Sequence, residues 1–347
     1  MLSALLLPSL VCLLVAWLAT RIGIAVAQRL SFLDRPGAEQ HKQQTHAVPY
    51  GGGVAMAIAL VFGVGVAVAM PMELDANVPV QIWWPVVAGA LGLFLIGLYD
   101  DLRQMSAKTK LFFQSVIAAM AVYAADLNID SLRDWPILSY GIAWAWLVLV
   151  SNAYNLLDHD DGLCASIAIV SAIVLVSGAF LSGDLITARF YLLLIAALLG
   201  FFWWNRPPAR VYMGDAGSLP LGFLIGVGTL SVTFWPSGES GSPLAILSPV
   251  LITALPMFDT VSVVIKRLRS GQPIMRGDRN HISHRLQRLG MTPKRRLLTA
   301  IAVQIALAAG ALQLRTEDLL TACVIIAQAC AIFVVVILLE TTRSRDA

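Results

Sequence analysis

Leu163-Cys-Ala-Ser-Ile-Ala-Ile-Val-Ser-Ala-Ile-Val-Leu-Val-Ser-Gly-Ala-Phe-Leu-Ser182 carries no charge over twenty residues, and it follows directly on Asn152-Ala-Tyr-Asn-Leu-Leu-Asp-His-Asp-Asp-Gly162. Twenty apolar residues rise about 30 Å as a helix, the thickness of a bilayer's hydrocarbon core. The junction therefore predicts a membrane-crossing helix with a polar mouth. The whole chain repeats that pattern. Apolar runs lie near 3–26, 52–70, 84–99, 111–125, 138–154, 163–182, 186–204, 219–235, 244–265, 297–313 and 319–340, giving eleven spans, or ten if one of the shorter runs fails to cross. Hydrophobic residues make up 58% and charged residues 13%, with a mean hydropathy of +0.77. A soluble domain carries roughly 25% charged residues, so the composition points to lipid as the solvent. The expected fold is all-α: a polytopic transmembrane helical bundle forming one integral-membrane domain over residues 1–347. The first run is too long for a signal-peptide core and no small-residue cleavage pattern follows it, so it is read as a retained span.

Positive charge sets the orientation, because cytoplasmic loops hold the excess of Lys and Arg. With eleven spans, one side holds Arg29, Arg35, Lys42, Arg103, Lys108, Lys110, Arg206, Arg210, the basic residues from Lys266 to Arg296, and Arg343 with Arg345. The other side holds Arg133, Arg189 and Arg315, and carries Glu73, Asp75, Asp126, Asp130, Asp134, Asp184, Glu239, Glu317 and Asp318. An outside N-terminus and a cytoplasmic C-terminus follow. The net charge of +3 is then a topology signal that suits anionic substrates or lipid headgroups, and no nucleic-acid partner is expected. Cys12, Cys164, Cys323 and Cys330 sit in apolar runs and show neither CxxC nor zinc spacing, so they read as small hydrophobes.

Five segments on the basic side, near 31–51, 100–110, 152–162, 205–218 and 266–296, hold nearly all the unusual residues. The first ends in Gly51-Gly-Gly53, where a backbone can approach a ligand or a neighbouring helix. Gly97-Leu-Tyr-Asp-Asp-Leu102 puts Asp100 and Asp101 at the mouth of a span, with Lys108 and Lys110 close behind. Carboxylates so near hydrocarbon usually mark a function, and hard cations such as Mg²⁺ take one or two of them while leaving room for substrate phosphates. Asn152, Asn155, Asp158 and Asp161 supply amide donors and carboxylates from the third segment. Met213-Gly-Asp-Ala-Gly-Ser218 places Asp215 where a helix begins, and free N–H groups there bind phosphate or are capped. In the fifth segment His281, His284 and Arg285 share one face if the segment is helical, a cationic surface suited to a diphosphate.

Taken together, these motifs resemble the polyprenyl-phosphate N-acetylhexosamine-1-phosphate transferase family, and more distantly the phospho-N-acetylmuramoyl-pentapeptide transferases, over about residues 34 to 290. The resemblance implies transfer of a sugar 1-phosphate from a UDP-sugar donor to a membrane polyprenyl (undecaprenyl) phosphate, with release of UMP, as the first membrane step of a cell-surface glycan. It implies Mg²⁺, with Mn²⁺ as an alternative, held by Asp215, Asp100 and Asp101. It implies catalytic roles for Asp100, Asp101, Asp158, Asp161, His281 and His284, and substrate contacts from Lys42, Asn152, Asn155, Lys110, Arg279 and Arg285. Pro256 and Asp259 match a Pro-x-Phe-Asp-Thr motif, and Asp278 and Arg279 open an Asp-Arg-x-His-Ile-His-His loop. The setting implied is a bacterial inner membrane with the active site facing the cytoplasm; a homodimer is left open.

Three positions depart from the pattern: Gln44 and Ser283 stand where the family has His, and His159 stands where it has Gly. The metal carboxylates are kept, so the departures bear on the sugar and diphosphate contacts, and UDP-GlcNAc is only the default donor. Two other readings fit a polytopic protein. A transporter or flippase of a nucleotide- or lipid-linked sugar would place its ionisable groups near the midplane, often on inverted repeats. A catalytically altered paralogue would keep the fold with a drifted site.

Overall fold

The computed structural model describes residues 2–34, 47–70, 83–129, 132, 134–231, 246–273, 281–314 and 319–342. These form helices α1 (Leu2–Arg29), α2 (Gly52–Ala69), α3 (Trp83–Arg103), α4 (Ala107–Ala124), α5 (Pro136–Leu157), α6 (Leu163–Leu181), α7 (Leu185–Asn205), α8 (Asp215–Ser231), α9 (Ser248–Ile252), α10 (Ala254–Arg269), α11 (Ile282–Arg288), α12 (Pro293–Gln313) and α13 (Leu319–Thr342). Among the described residues, the all-α expectation is amended only by a two-residue antiparallel ladder between β1 (Leu33–Asp34) and β2 (Val48–Pro49), which continues as a bridge from Tyr50 to Tyr212.

Among the described residues, eight helices, α1, α2, α3, α5, α6, α7, α12 and α13, are long and apolar enough to cross a membrane. The remaining runs counted from the sequence are shorter or more polar. The α4 helix opens on Lys108 and Lys110 and carries the buried Gln114, and α8 is apolar over Asp215–Leu230 only. The run at 244–265 breaks at Thr253 into α9 and α10, between Pro249 and Pro256. A break in an apolar interior exposes backbone groups that must find partners. Gln304 of α12 supplies them: its Oε1 accepts from Leu255 N at 3.1 Å and its Nε2 donates to Ile252 O at 2.6 Å. Ser171 Oγ donates to the same carbonyl at 2.7 Å.

The α5–α8 helices form the interior. Tyr154, Tyr191, Phe201 and Phe223 are its largest fully buried side chains, and both phenols are satisfied, Tyr154 by Ser171 Oγ and Tyr191 by Leu224 O. The outer helices show the opposite pattern. On α1, Leu6, Leu10, Leu14, Leu18 and Ile22 form an exposed stripe at intervals of four, which lipid would cover and water would not tolerate over such an area.

Alternation of helix direction brings the C-terminal ends of α3, α5 and α7 to the N-terminal ends of α4, α6 and α8. Every contact described below lies at that one end of the bundle. Glycines let the ends close up. A Cβ on Gly53 would lie 2.4 Å from Gly217 N, and one on Gly97 would lie 2.2 Å from Asp215 O. Gly53, at the close of the first loop, therefore serves a neighbouring helix.

Candidate active site

Two adjacent aspartates at a helix end point about 100° apart, and here they meet different partners. Asp100 Oδ2 accepts from Lys110 Nζ at 2.8 Å, and the same ammonium donates to Asp215 Oδ2 at 2.5 Å. Met105 N donates to the other Asp100 oxygen. Asp215 Oδ1 accepts from Asn155 Nδ2 at 2.8 Å, and that amide also donates to Ser218 Oγ at 2.9 Å. Asp100 and Asp215 thus converge on one point, with their side chains and that of Lys110 partly open. Asp101 instead accepts from Asp215 N at 2.9 Å and Ala216 N at 3.0 Å. It caps the N-terminus of α8 from another helix, satisfying two N–H groups that no residue within α8 can reach.

The loop from Asp158 to Gly162 links this cluster to the rest of the polar end. Burial, then the charges of Asp215 and Asp101, push the Asp158 carboxyl up to about 8. Asp161 Oδ2 accepts from Ala209 N at 2.9 Å, and burial raises its pKa as well. Asp160 pairs in fork geometry with Arg296 at the start of α12, Oδ2 with Nε and Oδ1 with an Nη, both at 3.0 Å. His159 makes three contacts with the α11 region. Its Nε2 lies 2.7 Å from Ser283 Oγ, and its ring centroid lies 4.4 Å from that of His281 and 5.7 Å from that of His284. Burial, then the neighbouring His281, brings the His159 pKa down to about 4, and burial lowers that of His284.

A second cluster lies beyond His159. Asp259 of α10 accepts from His281 Nδ1 at 2.7 Å, from Ile282 N at 2.6 Å and from an Arg285 Nη at 3.1 Å; Arg285 also donates to Ser262 Oγ at 2.9 Å. Asp259, His281 and Arg285 are all buried.

The family model described as glycosyl transferase family 4 matches residues 83–233, the stretch that contains Asp100, Lys110, Asn155, Asp158 and Asp215. A Bacillus subtilis (strain 168) protein named as a probable undecaprenyl-phosphate N-acetylglucosaminyl 1-phosphate transferase is 28% identical over 321 residues, covering 89% of this chain and 85% of that one. The undecaprenyl-phosphate alpha-N-acetylglucosaminyl 1-phosphate transferase of Escherichia coli (strain K12) is 26% identical over 299 residues, covering 81% and 76%. Its Salmonella typhi counterpart is 28% identical over 301 residues, covering 82% and 77%. The family model and these relatives support the resemblance to glycosyl transferase family 4.

Within the stretch that the family model matches, the structure brings together Asp100, Lys110, Asn155 and Asp215 as one group, with Asp158 alongside. It places Asp101 as the α8 cap and Asp161 as the anchor of the 207–210 turn. Asn152 lies one turn away from Asn155, donating to Gln114 Oε1 at 2.7 Å and to Val148 O at 2.8 Å. Arg285, expected at substrate, faces Asp259. Lys42 and Arg279 lie outside the described residues, as do Gln44 and Asp278. Two partners were not assigned a role from the sequence: Asp259, whose motif was noted without one, and Ser218, a serine beside Asp215 with no distinguishing signal of its own.

Oxygen ligands suit Mg²⁺ and imidazoles suit softer ions, so the two clusters differ in fit. Asp100 and Asp215 already aim carboxylate oxygens at one cationic centre, and both are accessible. His159, Asp259 and His281 bring ligand atoms within 4.8 Å of one another. Three of their four ring nitrogens are committed, however: His159 Nδ1 to Leu156 O at 2.8 Å, His159 Nε2 to Ser283, and His281 Nδ1 to Asp259. The second group is better described as a hydrogen-bonded cluster.

Proposed function

We propose that the protein transfers a sugar 1-phosphate, N-acetylglucosamine 1-phosphate by default, from its UDP donor to undecaprenyl phosphate, releasing UMP. The convergence of Asp100 and Asp215 on one cationic point at the polar end of the bundle carries this reading, and the names of the family relatives support it. A long isoprenoid phosphate keeps its chain in the bilayer and its phosphate at the interface, so the reacting groups belong at helix ends. The charge split of the loops supports a cytoplasmic position for that end, and the bacterial inner membrane is the setting that the resemblance implies.

Asp100 and Asp215 would hold a Mg²⁺ ion, which when bound supplies Lewis-acid neutralisation of the diphosphate. The remaining work is positioning and electrostatics, as phosphoryl transfer requires. Asn155, itself held by Ser218, fixes the Asp215 carboxylate, and Asp101 fixes the backbone that carries it. Asp158, lifted to about 8 by burial, is matched to exchange the acceptor phosphate's proton near neutral pH. His281 presents its Nε2, the ring nitrogen that Asp259 does not engage, and with His284 serves the phosphate oxygens. Arg285 acts through Asp259. Lys110 supplies positive charge for the two phosphate substrates, and the resemblance gives Lys42 and Arg279, outside the described residues, the same role.

Purified protein incubated with UDP-GlcNAc, undecaprenyl phosphate and Mg²⁺ is expected to yield lipid-linked product and UMP only when all three are present. UMP release without lipid phosphate, or near-parental turnover by Asp215→Asn, overturns the reading.

A further inference from the structure

Two of the three positions where this chain departs from the pattern it resembles are bonded to each other across 124 residues: His159, in place of a glycine, and Ser283, in place of a histidine, meet at 2.7 Å. The direction of that bond follows from its surroundings. His159 Nδ1 lies 2.8 Å from Leu156 O, and a carbonyl only accepts, so Nδ1 carries the proton. In the neutral ring Nε2 is then an acceptor, and Ser283 Oγ–H donates to it. Ser283 is buried, so no bulk water competes for that hydroxyl. The ring lies between His281 and His284, tilted 31° and 29° to them, and His281 is itself held by Asp259. An imidazole therefore stands at this junction, but it enters from the Asp158–Gly162 loop while a small hydroxyl occupies the α11 side.

We propose that His159 is a positioning residue for the transfer reaction: with Ser283 as donor, it supplies from the third loop the imidazole that a histidine at 283 would supply from the fifth, and so spaces His281 and His284 for the donor diphosphate. The exchange of sizes is reciprocal. A glycine at 159 opens the volume that a histidine at 283 would fill, whereas large residues at both positions would collide and small residues at both would leave a void and a buried, unpaired hydroxyl. The assignment rests on the transfer reading for its functional half and on the bonded pair for its structural half.

The test is a swap. His159→Gly, Ser283→His and the double variant are purified with the parent, and kcat and KM are measured separately for UDP-GlcNAc and undecaprenyl phosphate, alongside melting temperature in detergent. Each single change is expected to lower kcat/KM for UDP-GlcNAc by about 10- to 100-fold, the scale of a misplacement near 1 Å, with KM for the lipid phosphate unchanged. The double variant is expected to return within about threefold of the parent in kcat/KM and to recover its melting temperature. A double variant whose losses multiply, or lipid and donor parameters that fall together, overturns the proposal. If a single variant does not accumulate folded, His159→Phe and Ser283→Ala make the same cycle without a change of bulk at 159. Ser283→Ala should then have no effect in the His159→Phe background, and additive effects overturn the pair. A folded parent that makes no product with any UDP-sugar sinks the transfer reading, while the melting cycle still decides whether the pair is coupled.

Discussion

The polar end of the bundle holds two charged clusters of similar composition and opposite exposure. Lys110, Asp100 and Asp215 keep 19, 14 and 23% of their side-chain surface open, whereas His281, Asp259 and Arg285 keep 7, 1 and 3%. In the open cluster two carboxylates share one ammonium and neither is fully satisfied. In the closed cluster one carboxylate receives three donors, from a ring, a backbone N–H and a guanidinium. Exchangeable ligands need the first arrangement, because a metal and a phosphate must enter and leave. Fixed geometry needs the second, because a buried charge is tolerable only when its partners are complete. On the proposed reading the open cluster would hold the ion, and the closed one would align α11 and, with it, His281 and His284.

Substitutions separate the two. Asp215→Asn should have the largest effect on turnover, about 10³-fold, the scale of losing a group that stabilises developing charge, with little change in melting temperature. Radiolabelled lipid product measures the first and a detergent melt the second. Asp259→Asn should invert that pattern. It leaves a buried guanidinium and imidazole without their carboxylate, a loss of about 3–5 kcal/mol seen as a large drop in melting temperature, while the open cluster keeps its metal affinity. Asp101→Ala removes the acceptor for two N–H groups of α8, and a lost cap of this kind destabilises by about 1–2 kcal/mol. Its melting temperature should fall less than that of Asp259→Asn, and its turnover less than that of Asp215→Asn. Equal losses of turnover in the Asp101 and Asp215 variants would return Asp101 to the metal.

The smallest effect is a pH dependence. The folded protein holds His159 with its pKa lowered from 6.5 to about 4, so the fold favours the neutral ring. That contribution is fully present above about pH 6.5 and is lost as pH falls toward about 4. Asp158, shifted upward, works in the opposite sense over an overlapping range, so the informative quantity is a difference between proteins. The melting-temperature advantage of the parent over His159→Gln should shrink as pH is lowered through that window. A constant advantage would mean that the His159 ring does not titrate there.

Much of this was legible in the sequence for physical reasons. Uncharged runs of helix length announced the bundle, and carboxylates at their ends announced the site, because hydrocarbon tolerates neither charge nor open backbone. The resemblance grouped Asp215 with both Asp100 and Asp101; of the two, it is Asp100, 115 residues from Asp215 in the chain, that shares Lys110 with it. Asp101 was expected at the metal because adjacency in sequence looks like adjacency in space, whereas on a helix it means different faces, and its oxygens accept from the first N–H groups of α8. Arg285 was expected at substrate for a related reason: its face on α11 was legible, but the aspartate waiting on α10 was not. The break at Thr253 was hidden inside a continuous apolar run, since what permits it is Gln304, more than fifty residues along the chain.

The division of labour between the clusters is tested most directly by metal binding without turnover. Mn²⁺ titration of the purified protein, followed by electron paramagnetic resonance, should show one site that Asp100→Asn and Asp215→Asn each weaken strongly and that folded Asp259→Asn retains. Binding lost in the Asp259 variant and kept in the Asp215 variant would place the ion in the closed cluster and contradict the account.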